Sequence, residues 1–450
     1  MSRYHCEFAY LGGDGAEADV AIDVEGAAIA TVEPGARREP GDVVLPGLTL
    51  PGFANAHSHA FHRVLRGRAE GPGTFWSWRD QMYAVAGVLD PDRYRRLARA
   101  VFAEMVLAGF AAVGEFHYLH HPPGCERYAD ANEMGLALCD AARDAGIRLT
   151  LLDTCYLERA PGEPAAGVQE RFCDGDVGSW AERAERLVSS VPSVGVRVGA
   201  AAHSLRAVPP GAAGEVAAWA AGRGLPFHVH VSEQPAENHV VEAAYGASPV
   251  ELLARANALG PMTTVVHATH LGPADTGKLC ATGTTVCMCP TTERALADGI
   301  GPGATLADGG CAIALGSDSH AVIDPFEEAR ALELDERLRS GERGRFATAA
   351  LLRAATAAGH AAIGWPEAGC IAPGACADLV TVALSSVRLA GASPATLLEH
   401  VVFAASPADV TDVVVSGRRV VAGGRHQLVG DVAHELAEVV EEIVRAAGED

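Results

Sequence analysis

The sequence predicts an α/β fold: a (β/α)8 TIM-like barrel joined to a small discontinuous β-sandwich domain built from both chain ends. Three observations predict it. Between residue 48 and about 320, β-type runs alternate eight times with helical patterns, the signature of βα units wound around a parallel sheet. Nearly every one of those runs ends in His, Glu, Asp or Tyr, whereas a strand buried on both faces should finish apolar. Both ends of the chain, "AYLGGDGAEADVAIDVEGAAIATVEPG" and "ADLVTVAL" followed by "VTDVVVSGRRVVAGGR", read as short strands broken by Gly-rich turns.

In chain order, residues 1–47 supply the first part of the sandwich, 48–365 the barrel, 366–430 the returning part of the sandwich and 431–450 a terminal helix. The eight expected barrel strands are "LTLPGFANAHSH", "AAVGEFHY", "IRLTLLDTCY", "VRVGAAAHS", "PFHVHVSE", "TTVVHATH", "TTVCMCP" and "CAIALGSDS". Between the first two, "DPDRYRRLARAVFAEMVLAG" offers Asp90 as N-cap, Pro91 at the first helical position and Gly109 as the stop, so it is a crossover helix. The segment "ERAPGEPAAGVQERFCDGD" after the third strand has no periodicity and is a lid candidate. The last helix carries Leu436, Val439, Val440, Ile443 and Val444 on one stripe that must pack against something.

Composition narrows the partners. Asp plus Glu outnumber Lys plus Arg by 57 to 35 in 450 residues, a formal charge of -22, which argues against nucleic acid or an anionic membrane. An anionic substrate would need a local basic pocket. "MSRYHCEFAY" lacks the basic-then-apolar pattern of a secretory signal and no apolar run is long enough to span a bilayer, so a cytoplasmic location is expected. Eleven cysteines without CxxC pairs, scattered through apolar segments, read as buried thiols.

In a barrel the strands deliver their last residues to one face, where active sites form. Residues two apart on a strand share a face, so His57 and His59 can present two imidazoles to one ion. Alone, such a pair is weak evidence. Here "HVHVSE" adds His230 and Glu233, "VVHATH" adds His267 and "LGSDSH" adds Asp318, all at strand ends. Nitrogen and oxygen donors without thiolate suit Zn2+ best, with Fe2+ or Mn2+ also accommodated.

These motifs resemble the amidohydrolase superfamily over the whole chain: "PGFANAHSH", "HVSE", "VHATHL", "GSDS" and "GCIAPGACADLVTV". The resemblance implies one zinc per subunit held by His57, His59, His230 and Asp318, with Glu233, His267 and Asp318 catalytic. A second metal is disfavoured, because no lysine ends the fourth strand, where "GAAAHSLR" offers His203. Within the superfamily, "SHAF", "FWSWRDQMY", "GEFHYLHH", "HSLRAV" and "SDSHAV" are similar to the branch that converts N-formimino-L-glutamate to N-formyl-L-glutamate and ammonia in histidine degradation. That similarity implies a dicarboxylate substrate bound by Arg79, Tyr118, His203 and Arg206, and a homodimer. The branch carries Gln where this chain has His62, so His62 is expected to touch the substrate and bear on its choice. His117, His120, His121, His228, His270 and His320 are expected to be structural or supporting. A purine or nucleoside deaminase of the same superfamily would share the metal site but not the two arginines, and an inactive scaffold should have lost ligands that are all present here.

Overall fold

The computed structural model describes residues 2–13, 15–124, 127–191 and 194–448. Eight parallel strands run Phe53–Ser58, Phe110–His117, Arg148–Cys155, Val196–Ser204, Phe227–Val231, Thr263–His267, Thr285–Met288 and Ile313–Leu315, each hydrogen-bonded to the next in sequence. All but the fourth are buried at every position. That is why they read as near-continuous apolar runs: helices cover the outer face and other strands' side chains cover the inner one.

The barrel closes between its first and last strands through an isolated parallel bridge, Ser58 with Asp318. The Asp318 N–H donates to the His57 carbonyl at 3.0 Å, and the His59 N–H donates to the Asp318 carbonyl at 3.2 Å. Three of the expected metal ligands thus sit on the closing seam itself. Gly316 makes the seam possible, because a Cβ there would lie 2.7 Å from the His57 Cβ and 2.8 Å from its carbonyl oxygen.

One expected strand is two. "LTLPGFANAHSH" divides at Gly52: Val43–Pro51 belongs to a different sheet, and only Phe53–Ser58 enters the barrel. The Gly52 N–H donates to the Asp378 carbonyl, and a Cβ at Gly52 would come within 2.6 Å of Ala111. The chain can therefore cross between the sheets only where there is no side chain. The second sheet has eight strands drawn from both ends, with Val43–Pro51 parallel to Ser2–Ala9 and antiparallel to Leu379–Val382. Tyr4, Ile22, Leu45, Leu379 and Val414 form a core of its own between the two halves.

At the opposite end from the strand termini, Ile363 and Trp365 plug the barrel among small residues such as Ala54, Ala56 and Ala112. His228 points into this region and shares a hydrogen bond with the Ala362 carbonyl at 2.9 Å. The terminal helix Val432–Ala447 packs Leu436, Val439, Ile443 and Val444 against the crossover helix Pro91–Ala108, and Glu442 pairs with Arg93 and Arg96 at 2.9 and 2.8 Å. Among the described residues no helix is long and apolar enough to cross a membrane.

The segment after the third strand is not a free loop. It holds a short hairpin, Glu158–Ala160 with Glu163–Pro164, and a 3-10 turn Gly167–Arg171. The buried Arg171 guanidinium donates to the carbonyls of Ala86, Leu89 and His121, which ties the segment to the end of the helix Phe75–Val88. The expected lid is a wall, because burying that guanidinium is sustainable only while its carbonyl partners stay in place.

Candidate metal and substrate site

The ends of strands one, five, six and eight converge where the sequence places its polar residues. One donor atom from each of His57, His59, His230 and Asp318 lies within 4.8 Å of the other three, and all four residues are buried. The Nε2 atoms of His57 and His230 are 3.0 Å apart, and Asp318 Oδ1 is 3.4 Å from Nε2 of both His57 and His59. Four ligands bound tetrahedrally to zinc through bonds near 2.0 Å would be spaced by about 3.3 Å.

The hydrogen bonds behind the imidazoles fix which nitrogen faces inward. His59 Nδ1 donates to the Phe116 carbonyl at 3.0 Å and His230 Nδ1 to the His203 carbonyl at 2.8 Å, so in each neutral ring Nε2 carries the bare lone pair. Burial holds His57, His59 and His230 below the usual imidazole range, which keeps them neutral and able to ligate. His57 Nδ1 is buried without a partner. A group of inward lone pairs beside a buried carboxylate is electrostatically incomplete, and a divalent cation fits it.

Behind this set, Asn55, Ser317, His320, Ser58 and Glu115 form a buried chain of hydrogen bonds. Asn55 Nδ2 donates to Ser317 Oγ at 2.6 Å, Ser317 and Ser58 contact the two nitrogens of His320 at 2.9 and 3.0 Å, and Ser58 donates to Glu115 at 2.5 Å. Glu115 also accepts from the Ala60 N–H, yet burial pushes its carboxyl up to about 8. His320 is thus a supporting residue that braces strands one and eight.

Backbone strain gathers here. His267 and Asp318 have φ of 70° and 42°, and Ser232, Ala268 and His320 are also left-handed. For side-chain-bearing residues each costs on the order of 1–3 kcal/mol, a cost usually met at functional sites. At Ser232 the turn presents Glu233, whose N–H donates to Glu237 Oε2 at 3.1 Å.

Glu233 and His267 flank the four-residue set. His267 Nε2 lies 3.7 Å from Glu233 and 3.8 Å from Asp318, while its Nδ1 lies 3.5 Å from Glu293. Burial alone would lower His267, but these three carboxylates outweigh it and raise the imidazole above its usual range. Burial pushes Glu233 up to about 7, against the pull of His267. The buried Asp298, which accepts from Gln234, is pushed up to about 9 by burial and then by Glu233.

A cleft opens from this cluster and is lined by His62, Arg79, Tyr118, His203 and Arg206, the five residues expected around a substrate, together with His59, His230, Glu233, His267 and Asp318. His62 Nε2 shares a 2.9 Å hydrogen bond with the Tyr118 hydroxyl, and its ring sits 4.5 Å from that of His59. Burial drives His62 down to about 3, so it meets Tyr118 as a neutral ring. Arg79 and Arg206 flank the Trp76 indole at 4.4 and 5.9 Å, and among the described residues neither has a carboxylate within ion-pair distance. Two unpaired guanidiniums in one cleft are a binding site for anionic groups.

Sequence reasoning missed several lining residues: Phe75, Trp78, Met82, Tyr83, Tyr156, Phe172 and Glu237. Tyr156 directly follows the third strand and closes the run "IRLTLLDTCY", so the strand-end rule alone would flag it. Glu237 lies in the first turn of the helix Pro235–Tyr245, which follows Glu233 and folds the Glu237 carboxylate back onto the Glu233 N–H. Phe172 and Asp298 sit in irregular segments with no periodic signal.

A metal-fit His/Asp cluster at the mouth of a (β/α)8 barrel, flanked by a sheet from both chain ends, defines a class of metal-dependent hydrolases. Residues 48–420 match the profile of the amidohydrolase family, and the chain belongs to that family and is a hydrolase of it. It is 37% identical over 428 residues to formimidoylglutamate deiminase of Pseudomonas aeruginosa, covering 92% of this chain and 94% of the relative. With 5-methylthioadenosine/S-adenosylhomocysteine deaminase of Pelotomaculum thermopropionicum it shares 27% identity over 446 residues, 96% and 95% of the two chains. Among solved structures, an amidohydrolase from Brucella melitensis superposes with a TM-score of 0.91 at 33% identity, covering 99% of this chain and 100% of that one. An adenosine deaminase from Xanthomonas campestris with bound zinc superposes at 0.84 and 24% identity, covering 99% and 98%, a likeness of fold.

Proposed function

We propose that this enzyme hydrolyses the formimino C–N bond of N-formimino-L-glutamate, giving N-formyl-L-glutamate and ammonia, with one zinc ion held by His57, His59, His230 and Asp318. The observation that carries the substrate is the pair of unpaired guanidiniums, Arg79 and Arg206, in the same cleft as the His/Asp cluster. The name of the 37%-identical relative supports the same substrate.

The residues present fit this chemistry. A divalent ion held by the cluster would supply a Lewis acid and would lower the pKa of water there towards about 7. Asp318 is placed to take the proton of the attacking water, and His267, 3.8 Å from it, to orient that water. Glu233 then passes a proton to the formimino nitrogen of the tetrahedral intermediate. With its carboxyl near 7, Glu233 exchanges protons at neutral pH without a large penalty in either direction. The amine then takes the proton held by Asp318, the C–N bond breaks and ammonia leaves, while the hydroxyl proton goes back to Glu233 and the carbon keeps the water oxygen as a formyl group. Arg79, Arg206, Tyr118 and His203 hold the glutamate part, and the neutral His62 orients the Tyr118 hydroxyl. In the same proposal the chain works as a cytoplasmic homodimer in histidine degradation.

A second reading has its own observation. Phe75, Trp78, Tyr118, Tyr156 and Phe172 line the cleft, and the 27%-identical relative is by name a 5-methylthioadenosine/S-adenosylhomocysteine deaminase. Ammonia release by metal-analysed protein from N-formimino-L-glutamate, its aspartate analogue, guanine and adenosine separates the two. Turnover of a formimino acid is expected; turnover of a purine alone would overturn the proposal.

A further inference from the structure

Tyr83 and Tyr156 both line the cleft, on the wall that carries the arginines, and both are bonded to one side chain outside it. The buried Gln169 donates through Nε2 to the Tyr156 hydroxyl at 2.6 Å and to the Tyr83 hydroxyl at 3.1 Å. An amide nitrogen has two hydrogens, so these bonds use both and approach both phenol oxygens from their acceptor side. Both amide hydrogens are then placed within the group, and the hydrogen of each phenol is left over.

Those hydrogens need acceptors. Tyr156 is buried, and among the described residues no protein carboxylate accepts from either hydroxyl. Burial raises the Tyr156 phenol above its usual range, so it stays protonated. Arg79 lies 5.3 Å from the Tyr83 ring, and Tyr156 is within the field of Arg206. The two phenols and the two guanidiniums on this wall therefore offer hydrogen or positive charge, and the Arg206 charge also acts on a carboxyl that shares the cleft, Glu237.

We infer that Tyr83 and Tyr156 form a hydroxyl donor pair between Arg79 and Arg206 that binds a substrate carboxylate, and that Gln169 is the positioning residue that turns both hydroxyls towards the cleft. The inference rests on the anionic-substrate part of the proposed function. It assigns specificity to a segment whose sequence shows no periodicity. Pinned by Arg171 two residues later, Gln169 cannot drift away from the phenols without breaking the three carbonyl contacts of that guanidinium.

The test is binding by calorimetry to the metal-loaded protein, using N-formyl-L-glutamate and N-formyl-4-aminobutyrate, which has one carboxylate fewer. Wild type should prefer the dicarboxylate. Tyr156→Phe and Tyr83→Phe remove a donor each, and Gln169→Glu keeps the shape but turns a donor into an acceptor that draws both hydroxyls away from the cleft. Each variant should lose the dicarboxylate preference by about tenfold, the worth of a hydrogen bond to a charged group, while the monocarboxylate binds within about twofold of wild type. In turnover, KM should rise with kcat within about threefold. Gln169→Met covers the case in which the Gln169→Glu variant, with its buried carboxylate, fails to fold, and should behave as the Phe variants do. Preference within twofold of wild type in all folded variants, or no dicarboxylate preference in wild type, overturns the inference. Dicarboxylate preference without ammonia release from any formimino acid would instead sink the proposed reaction and leave the inference standing.

Discussion

Replacing Arg206 with Met is the sharpest probe of how the cleft recognises its substrate. The methionine keeps most of the aliphatic stem beside Trp76 and removes the guanidinium alone. A charge-assisted pair with a carboxylate, partly shielded from water, is worth about 3 kcal/mol when one partner is deleted, or roughly a hundredfold in kcat/KM. Arg206 carries a second burden. Glu237 is a buried cleft carboxyl raised chiefly by burial and held back by the Arg206 charge, and its Oε1 has no hydrogen-bond partner. Without the guanidinium this carboxyl faces the substrate anion uncompensated, so the loss should reach about 10^2–10^3-fold. Arg79 has no such neighbour and is stacked on Trp76, so Arg79→Met should cost less, about 10–100-fold. The assay is steady-state ammonia release from N-formimino-L-glutamate and from a one-carboxylate analogue. If Arg206→Met stays within threefold of wild type, or slows both substrates equally, the carboxylate-clamp reasoning is refuted.

Glu233→Gln should lower kcat by about 10^2–10^4 with metal content unchanged, measured by turnover and metal analysis; normal turnover would remove Glu233 from the proton path. Chelation should lower the melting temperature, and one equivalent of zinc should restore it, because a cation binds only the folded His/Asp cluster; His59→Ala should abolish that rise. Glu115 gives a pH signature. Its carboxyl lies at about 8 in the folded chain against 4.5 as the reference value, so between those pH values the folded chain keeps a proton that the unfolded chain loses. Its stabilisation is complete below 4.5 and is lost as pH rises through 8, about 1.4 kcal/mol per pH unit and roughly 4–5 kcal/mol in all. Glu115→Gln should therefore gain stability relative to wild type between about pH 5 and 8, read from melting temperatures; parallel curves would contradict the assignment.

The barrel was legible because its strands carry a contradiction visible in one dimension: apolar runs that end in ionisable residues. That rule gathered His57, His59, His230 and Asp318 together with Glu233 and His267, the family resemblance picked the four out as ligands, and the structure brings those four together. The closing seam was not legible, since Gly316 looks like any other glycine until His57 is seen against it. Nor was the division at Gly52, because an apolar run that leaves one sheet and enters another keeps the same hydropathy throughout. The wall at Gln169 and Arg171 was hidden for a different reason. Its order comes from guanidinium and amide bonds to distant backbone and phenol groups, and such bonds leave no period in the sequence. The crossover and terminal helices were each readable alone, but their pairing through Glu442 with Arg93 and Arg96 joins residues 349 and 346 positions apart.

The central claim is that water attacks the formimino carbon and the terminal nitrogen leaves. Turnover of N-formimino-L-glutamate in 18O-labelled water, with the products resolved by mass spectrometry, tests it most directly. The account predicts one ammonia per turnover and N-formyl-L-glutamate carrying a single 18O in its formyl group. Formamide with unlabelled glutamate would mean that the other C–N bond is cut, and would contradict the account.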